Sequence, residues 1–409
     1  VLAPGALLAV VLAGLAAAFS AWRASSPRPL PAARPSVIAA AAARADLSPA
    51  VVTGARFALE RGPGVPTRPA LLGAVVGVLG VLAAFTFHAG VTDAATHPER
   101  FGQTHQAEIF LGGDGASAGP SAALTALAAL RSDPRVTGVT DDRTAVAETG
   151  ETRVALHTRG DLPLVLSAGR PPAAPDEVAL ALNTARDLGL GVGDRIPLAG
   201  EPGSGTFTVT GVGFTTIGRH NSYDRGGTVT AEGFARLFGD GFKFRSILIG
   251  LRPGVDPAGL GATPAGPPPE VAEIDELAVL PVALAAFLAL LAVGAAGHLL
   301  TTAVRRRTHE VAVLRALGLT PRQARRIVVT QAGVLAVTGL VFGVPLGVAL
   351  GRVLWRLVTD QWPIFHQPPV AFWALALAVP VALLIAGLLA VGPGRALSRL
   401  RVADVLRAE

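Results

Sequence analysis

Five stretches of this chain are almost free of polar side chains: Leu2–Trp22, Ala70–Thr92, Leu277–Thr302, Ile327–Leu350 and Val370–Gly392. About 20 apolar residues carry a helix across a bilayer, so each stretch predicts one span. The first is followed by arginines and outruns the apolar part of a signal peptide, so it too is predicted to be a span. Between the second and third the pattern changes to short alternating runs. HQAEIFLGG, TRVALHT, LPLVLSA, GTFTVTGVGFTT and FRSILIGL predict strands, PSAALTALAALRS predicts an amphipathic helix, and Gly/Pro/Asp clusters separate them. The proline-rich GATPAGPPPE (261–270) predicts a linker back to the membrane.

Charge sorts these segments by side. Residues 93–276 hold 23 acids against 15 bases, whereas 23–68 carry seven arginines and two acids, 305–326 seven and one, and 395–409 four and two. Basic loops stay in the cytoplasm. The predicted order is therefore a span at 1–22, a cytoplasmic linker 23–69 with an interfacial helix at 49–61, a span at 70–92 and an outer domain 93–276. A span at 277–302, a cytoplasmic segment 303–326, a span at 327–350, an outer loop 351–369, a span at 370–392 and a cytoplasmic tail 393–409 follow. The composition agrees: 51% hydrophobic and 16% charged, against about 25% charged in soluble domains. The pI near 11 reflects basic segments beside apolar runs, not a basic face with interleaved aromatics, so no nucleic-acid partner is expected. With no cysteine in the chain, disulfides, thiolate metal sites and a cysteine nucleophile are excluded.

Smaller patterns refine the spans. Gly339, Gly343 and Gly347 recur every four residues, as do Gly73 and Gly77, spacing that lets helices approach closely in lipid. Trp355, Trp362 and Trp373 fall at the outer ends of the last two spans, where indoles favour headgroups. In DLSPAVVTGARFALERG (46–62), Ser48 is a predicted cap, Pro49 the first helical residue and Gly62 the stop, with Val51, Val52, Ala55 and Leu59 on the apolar side.

The segment RRRTHEVAVLRALGLTPRQARRI (305–327) reads as a continuation of the third span's helix, a turn at Gly318, and a new helix opened by a Thr320–Gln323 capping box with Pro321 inside it. Val311, Leu314 and Gly318 share one face, with Leu317 and Glu310 beside them. So short and half-apolar a helix needs a partner for its apolar face. That partner is either a protein or the lipid surface, with the arginines on anionic headgroups.

Candidate chemistry elsewhere is thin. GASAG (115–119) fits G-x-S-x-G, but in a long Gly/Ser loop rather than a tight elbow. His97, Glu99, His105 and Glu108 fit no named metal spacing. LGLGVGD (188–194) reads as a tight turn, Asp176 and Glu177 as turn residues, and His88 and His298 are almost the only ionisable groups in the spans. An ion-coupled transporter ordinarily keeps carboxylates there. The phosphate loop G-x-x-x-x-G-K-[ST] does not occur, since the lone Lys243 in GFKFRS lacks its glycines. No catalytic, cofactor or metal-binding residue is assigned.

RRRxxEVAVLRALGLTPRQ followed by a glycine-rich span resembles the cytoplasmic signature of FtsX-like permeases, the family of the MacB and LolC membrane subunits of ABC systems. GRPPAAPDEVALALNTARDLGLGVGDRI (169–196) resembles their extracytoplasmic core, and GRALSRLRVADVLRAE their basic tail. The resemblance covers roughly residues 47–409. It implies an α-helical transmembrane protein of about five spans with a mixed α+β extracytoplasmic domain of MacB core type, in the plasma membrane. It further implies an ABC ATPase as a separate subunit that binds the ATP, membrane lipids as surroundings, and a dimer or pseudo-dimer of permease repeats. Leu2–Trp22, one span more than the four-span unit, would be the end of a preceding repeat, making the chain part of a duplicated permease. Carried over by position, the coupling residues are Arg305, Glu310, Val311, Leu314, Arg315, Leu317 and Gly318. Export or extraction of a lipophilic or peptide substrate is the implied work. Regulation of a cell-envelope hydrolase, as for FtsX itself, is the alternative, and a membrane-tethered enzyme a third.

Overall fold

The structure is a computed structural model that describes residues 48–60, 67–113, 116–117, 120–217, 221–268, 272, 278–361, 364–365 and 367–399. The expected span Leu2–Trp22, the basic stretch 23–47, Arg61, Gly62, the ends of GASAG (Gly115, Ala118 and Gly119), Trp362 and the tail from residue 400 lie outside these residues. The chain forms two compact units, one of Val1–Val75, Ala292–Leu340 and Val379–Glu409, the other of Val76–Leu291 and Val341–Ala378.

In chain order, the helices are α1 (Pro49–Leu59), α2 (Thr67–Thr96), α3 (Pro120–Ser132), α4 (Leu182–Leu188), α5 (Ala231–Phe238), α6 (Val279–Arg306), α7 (Thr308–Ala316), α8 (Pro321–Gln361) and α9 (Phe372–Ser398). Among the described residues, four of these, α2, α6, α8 and α9, are long and apolar enough to cross a membrane. The chain is a multi-pass membrane protein.

Glycine lets α8 approach α2. Gly339, Gly343 and Gly347 are all buried. A Cβ on Gly339 would stand 3.0 Å from the Ala74 carbonyl oxygen, and one on Gly347 2.7 Å from that of Leu79. Gly351 extends the series, lying against Ala83 and Thr86. Gly73 is different, since among the described residues a Cβ there would meet nothing within 4 Å. The outer loop expected at 351–369 is also corrected: α8 runs on to Gln361. No breaker interrupts RVLWRLVTDQ, and Trp355 anchors it, buried to 3% exposure against Phe87 and Gly90. This tryptophan packs in a helix interface instead of sitting among headgroups, whereas Trp373 is 84% exposed.

The outer domain is built on eleven strands: β1 (Ala107–Gly113), β2 (Ala116–Ser117), β3 (Val136–Thr149), β4 (Thr152–Thr158), β5 (Leu166–Gly169), β6 (Glu177–Ala181), β7 (Arg195–Ala199), β8 (Ser204–Gly213), β9 (Gly227–Val229), β10 (Phe244–Leu251) and β11 (Thr263–Pro264). Their order is β11-β1-β10-β3-β4-β9-β6-β8-β5, with β7 bridging β8 and β3. Strands β3, β4, β9, β6, β8 and β7 therefore close a ring around one core, which includes Leu156, Val178, Leu180, Ile196, Leu198, Phe207, Phe234 and Leu237. A second core gathers Leu127 and Leu130 of α3 with Val139, Ile247 and Ile249. The long β3 joins both, since its first part pairs with β10 and its last part with β4.

Between these cores runs a buried polar line. His157 Nδ1 lies 3.1 Å from Asp142, its Nε2 lies 3.2 Å from Asn221 Nδ2, and Ser246 donates to Glu108. The amide of Asn221 can only donate to Nε2, which leaves Nδ1–H to donate to the carboxylate. Asp176 and Glu177 close the PPAAPDE turn. Glu177 accepts from the backbone N–H of Ala173 and Ala174 and pairs with Arg170, which together hold its carboxyl down to about 2.

Candidate functional site

The segment 303–326 departs from a continuous helix at one residue. Helix α6 stops at Arg306, and Arg307 (φ −102°, ψ 13°) separates it from α7. The Thr308 hydroxyl donates to the carbonyls of Arg305 and Val304. The shorter of the two, 2.8 Å to Arg305, is the main bond, since the Val304 carbonyl also accepts from the Arg307 N–H; such back-bonding is a known cause of helix bending. The expectation of one unbroken helix through VRRRTHEVAVLRAL is corrected here.

The far end of α7 is closed by local chemistry. Gly318 takes φ +105°, a region where a Cβ is costly. Its N–H reaches the Arg315 carbonyl while that of Leu319 reaches Leu314, the paired bonds of a Schellman motif. Thr320 and Gln323 then cap α8 reciprocally: Thr320 N–H donates to Gln323 Oε1 at 2.8 Å and Gln323 N–H to Thr320 Oγ1 at 3.3 Å. Both ends of α7 are thus fixed, and its rotation is decided by packing.

That rotation differs from the one expected. Val311 and Ala312 face inward, and Val311 joins Leu300, Val304, Ala324, Val328, Ala332, Ala390 and Leu397 in a core shared by α6, α7, α8 and α9. Leu314 is half-buried, and Arg315 donates from Nη1 to the Leu397 carbonyl at 3.3 Å. The outward side carries His309, Glu310, Val313, Ala316 and Leu317, the last at 80% exposure, with Arg305, Arg306 and Gly318 also exposed. Val311 and Leu314 are therefore not the outer anchors. The run VAVLRALGL is apolar on two sides, so periodicity could not choose between them, and Val311 fits the gap among the span ends.

Helix α1 packs on the same unit, but through a different stripe than expected. Ala50, Gly54, Ala55 and Ala58 are its buried residues, while Val51, Val52 and Leu59 are half-exposed. Ser48 occupies the cap position without a side-chain hydrogen bond. A Cβ on Gly54 would stand 2.7 Å from the Ile327 carbonyl oxygen, so α1 lies hard against α8.

The residue that sequence reasoning missed is Arg307, only 4% exposed. Its guanidinium lies 4.2 Å from the Phe57 ring centroid, Nη2 donates to the Glu60 carbonyl at 3.3 Å, and Nε has no hydrogen-bond partner among the described residues. Burial pulls its pKa down, and the nearby charges of Glu310 and Glu60 oppose that. A desolvated cation over an aromatic face is worth about 2 kcal/mol, partly offsetting the cost of burying it. Three consecutive arginines look alike in sequence, and only the turn at position 307 sends the third one inward.

Other candidates have local partners among the described residues. His97 lies by Asp93, which Arg100 also pairs, and His105 is buried, with its pKa pulled down by that burial. A cleft in the outer domain is lined by Glu148, Arg153, Asp187, Asn221, Arg225 and Lys243. There Arg153 and Arg225 already pair with Glu148 and Asp187.

Comparison with known proteins adds to this geometry. The family model for the MacB-like periplasmic core domain matches residues 70–262, and that for the FtsX-like permease C-terminal domain matches residues 282–399. No curated protein matches the chain. Among solved structures, the periplasmic region of MacB from Actinobacillus actinomycetemcomitans aligns at 13% identity and a TM-score of 0.26, covering 46% of this chain and 89% of that one. Two family models in this order, on a multi-pass chain with an α+β outer domain, place the protein in the FtsX/MacB type of ABC permeases.

Proposed function

We propose that this permease subunit converts ATP hydrolysis on a separate ABC ATPase into movement of its spans and outer domain, to export or extract a lipophilic or peptide substrate. One observation carries the reading: the outward face of α7, where Leu317 and Val313 stand exposed beside Glu310 and Arg306 on a helix fixed at both ends. Exposed apolar residues rimmed by charges suit a protein partner better than water. The inward face of the same helix supports transmission, since Val311 is packed among the ends of α6, α8 and α9. Arg305 and Arg306 suit anionic headgroups. The sparsely buried spans α6 and α9 leave sides for lipid or for a second permease repeat.

The test is co-expression with the ATPase partner, followed by pull-down and stimulated ATP turnover. Leu317→Asp is expected to weaken capture by about tenfold or more, the effect of losing one central anchor, with membrane insertion intact. Leu314→Asp is expected to disturb the end of α7 itself, because it puts a charge on a half-buried side chain. Capture and turnover at wild-type level in Leu317→Asp would return α7 to a basic loop that only orients the protein.

A further inference from the structure

Arg305 and Arg306 point to solvent, while Arg307 turns into the protein at the junction of α6 and α7. An arginine at a span end ordinarily extends to the headgroups, keeping its charge wet. Here it is committed to α1 instead, through the face of Phe57 and the carbonyl of Glu60. We propose that Arg307 is a positioning residue that locks α1 to the α6–α7 junction, making α1 the second arm of the coupling device. A displacement of α7 is then delivered to α6, which it follows in the chain, and also to α2, which begins at Thr67, shortly after α1 ends at Leu59. The source of that displacement rests on the ATPase reading, but the lock itself does not.

The contacts suit such a role. Gly54 holds α1 against α8, so α1 already has a fulcrum, and Arg315 ties the other end of α7 to α9. Arg307 supplies the remaining link, between α1 and the break. A planar guanidinium can stack and donate at once, which the compact ammonium of lysine cannot reproduce. Stacking on a ring face also tolerates tilt, so the link can hold through a change of angle at the junction.

The absence of native cysteine allows spin labels to be placed cleanly on the full chain in lipid nanodiscs. One pair, at the exposed positions Arg56 and His309, reports on α1 against α7; a control pair, at exposed Arg322 and Arg395, reports on α8 against α9. Dipolar distance distributions are compared in wild type, Arg307→Met, Arg307→Lys, Phe57→Leu and Phe57→Trp. The first three substitutions are expected to broaden the α1–α7 distribution roughly twofold, as for a helix released to local fluctuation, with the control width unchanged. Phe57→Trp keeps an aromatic face and is expected to keep the narrow distribution. The lock is overturned if Arg307→Met and Phe57→Leu leave the α1–α7 width as in wild type, or if both pairs broaden together. Should Arg307→Met fail to insert, Phe57→Leu decides alone. No ATPase enters this measurement, so its failure is separable from failure of the docking reading.

Discussion

Arg245 of the outer domain and Arg307 at the break between α6 and α7 are buried to almost the same degree, 8% and 4% exposed. Their company differs. Arg245, on β10, meets Asp141 of β3 through Nε at 2.8 Å and Nη2 at 2.9 Å, a bidentate pair between neighbouring strands. Arg307 meets a phenyl ring and one carbonyl, with no hydrogen-bond partner at Nε among the described residues. A bidentate carboxylate fixes distance and plane on both sides. A ring face and a carbonyl near a helix end fix much less. The outer domain uses arginine where strands must not move. At the break between α6 and α7, arginine joins two helices through contacts that leave the angle between them less fixed.

The largest expected effect falls on the first of these. Asp141→Ala strands Arg245 as a buried, uncompensated charge, which costs about 3–5 kcal/mol. Scanning calorimetry of the full chain should show the outer-domain transition falling by about 10 °C. An unmoved transition would break the contrast, because Arg245 would then be no more fixed than Arg307.

The second prediction tests the other side. Arg307→Met replaces a buried cation by an apolar chain of similar reach, an exchange that is often neutral or stabilising. Its stability should stay within about 1 kcal/mol of wild type, while stimulated ATP turnover falls. Parallel loss of stability and turnover would make Arg307 a packing residue only.

How far the sequence anticipates these roles depends on how many arrangements each pattern allows. Apolar length leaves few alternatives for α2, α6, α8 and α9, whereas glycine spacing is a weaker sign, since Gly339 and Gly347 meet α2 but the like-spaced Gly73 meets no described neighbour. Gly318 and the Thr320–Gln323 box are local devices, readable because their partners lie within five residues. The rotation of α7 is not local: two apolar stripes compete, and Val311 wins by fitting among residues as distant in sequence as Leu397. Arg307 is similarly illegible, since Phe57 lies 250 residues earlier in the chain. The long strand β3 was missed because VTGVTDDRTAVAET carries Gly and two Asp. One of those, Asp142, is buried against His157, and the other holds Arg245. Residues that signal a turn in isolation are here the polar line between two cores.

A third arginine separates the effect of pairing from that of burial. Arg170 is paired with Glu177 as Arg245 is with Asp141, yet its side chain is 58% exposed. The pair with Arg170 is the largest restraint on the Glu177 carboxylate, and the N–H groups of Ala173 and Ala174 at the closed turn add to it. With its carboxyl held at about 2 against an ordinary 4.5, the folded state binds this proton less readily than the unfolded chain. The contribution is fully present above about pH 4.5 and is lost as pH falls through about 2. Glu177→Gln keeps the shape and removes the charge, so its outer-domain midpoint should lie about 2–4 °C below wild type at neutral pH. That gap should narrow steadily below pH 4.5 and close near pH 2. A gap independent of pH would mean that the turn is held by shape alone, and that in this domain a paired arginine matters only when it is buried.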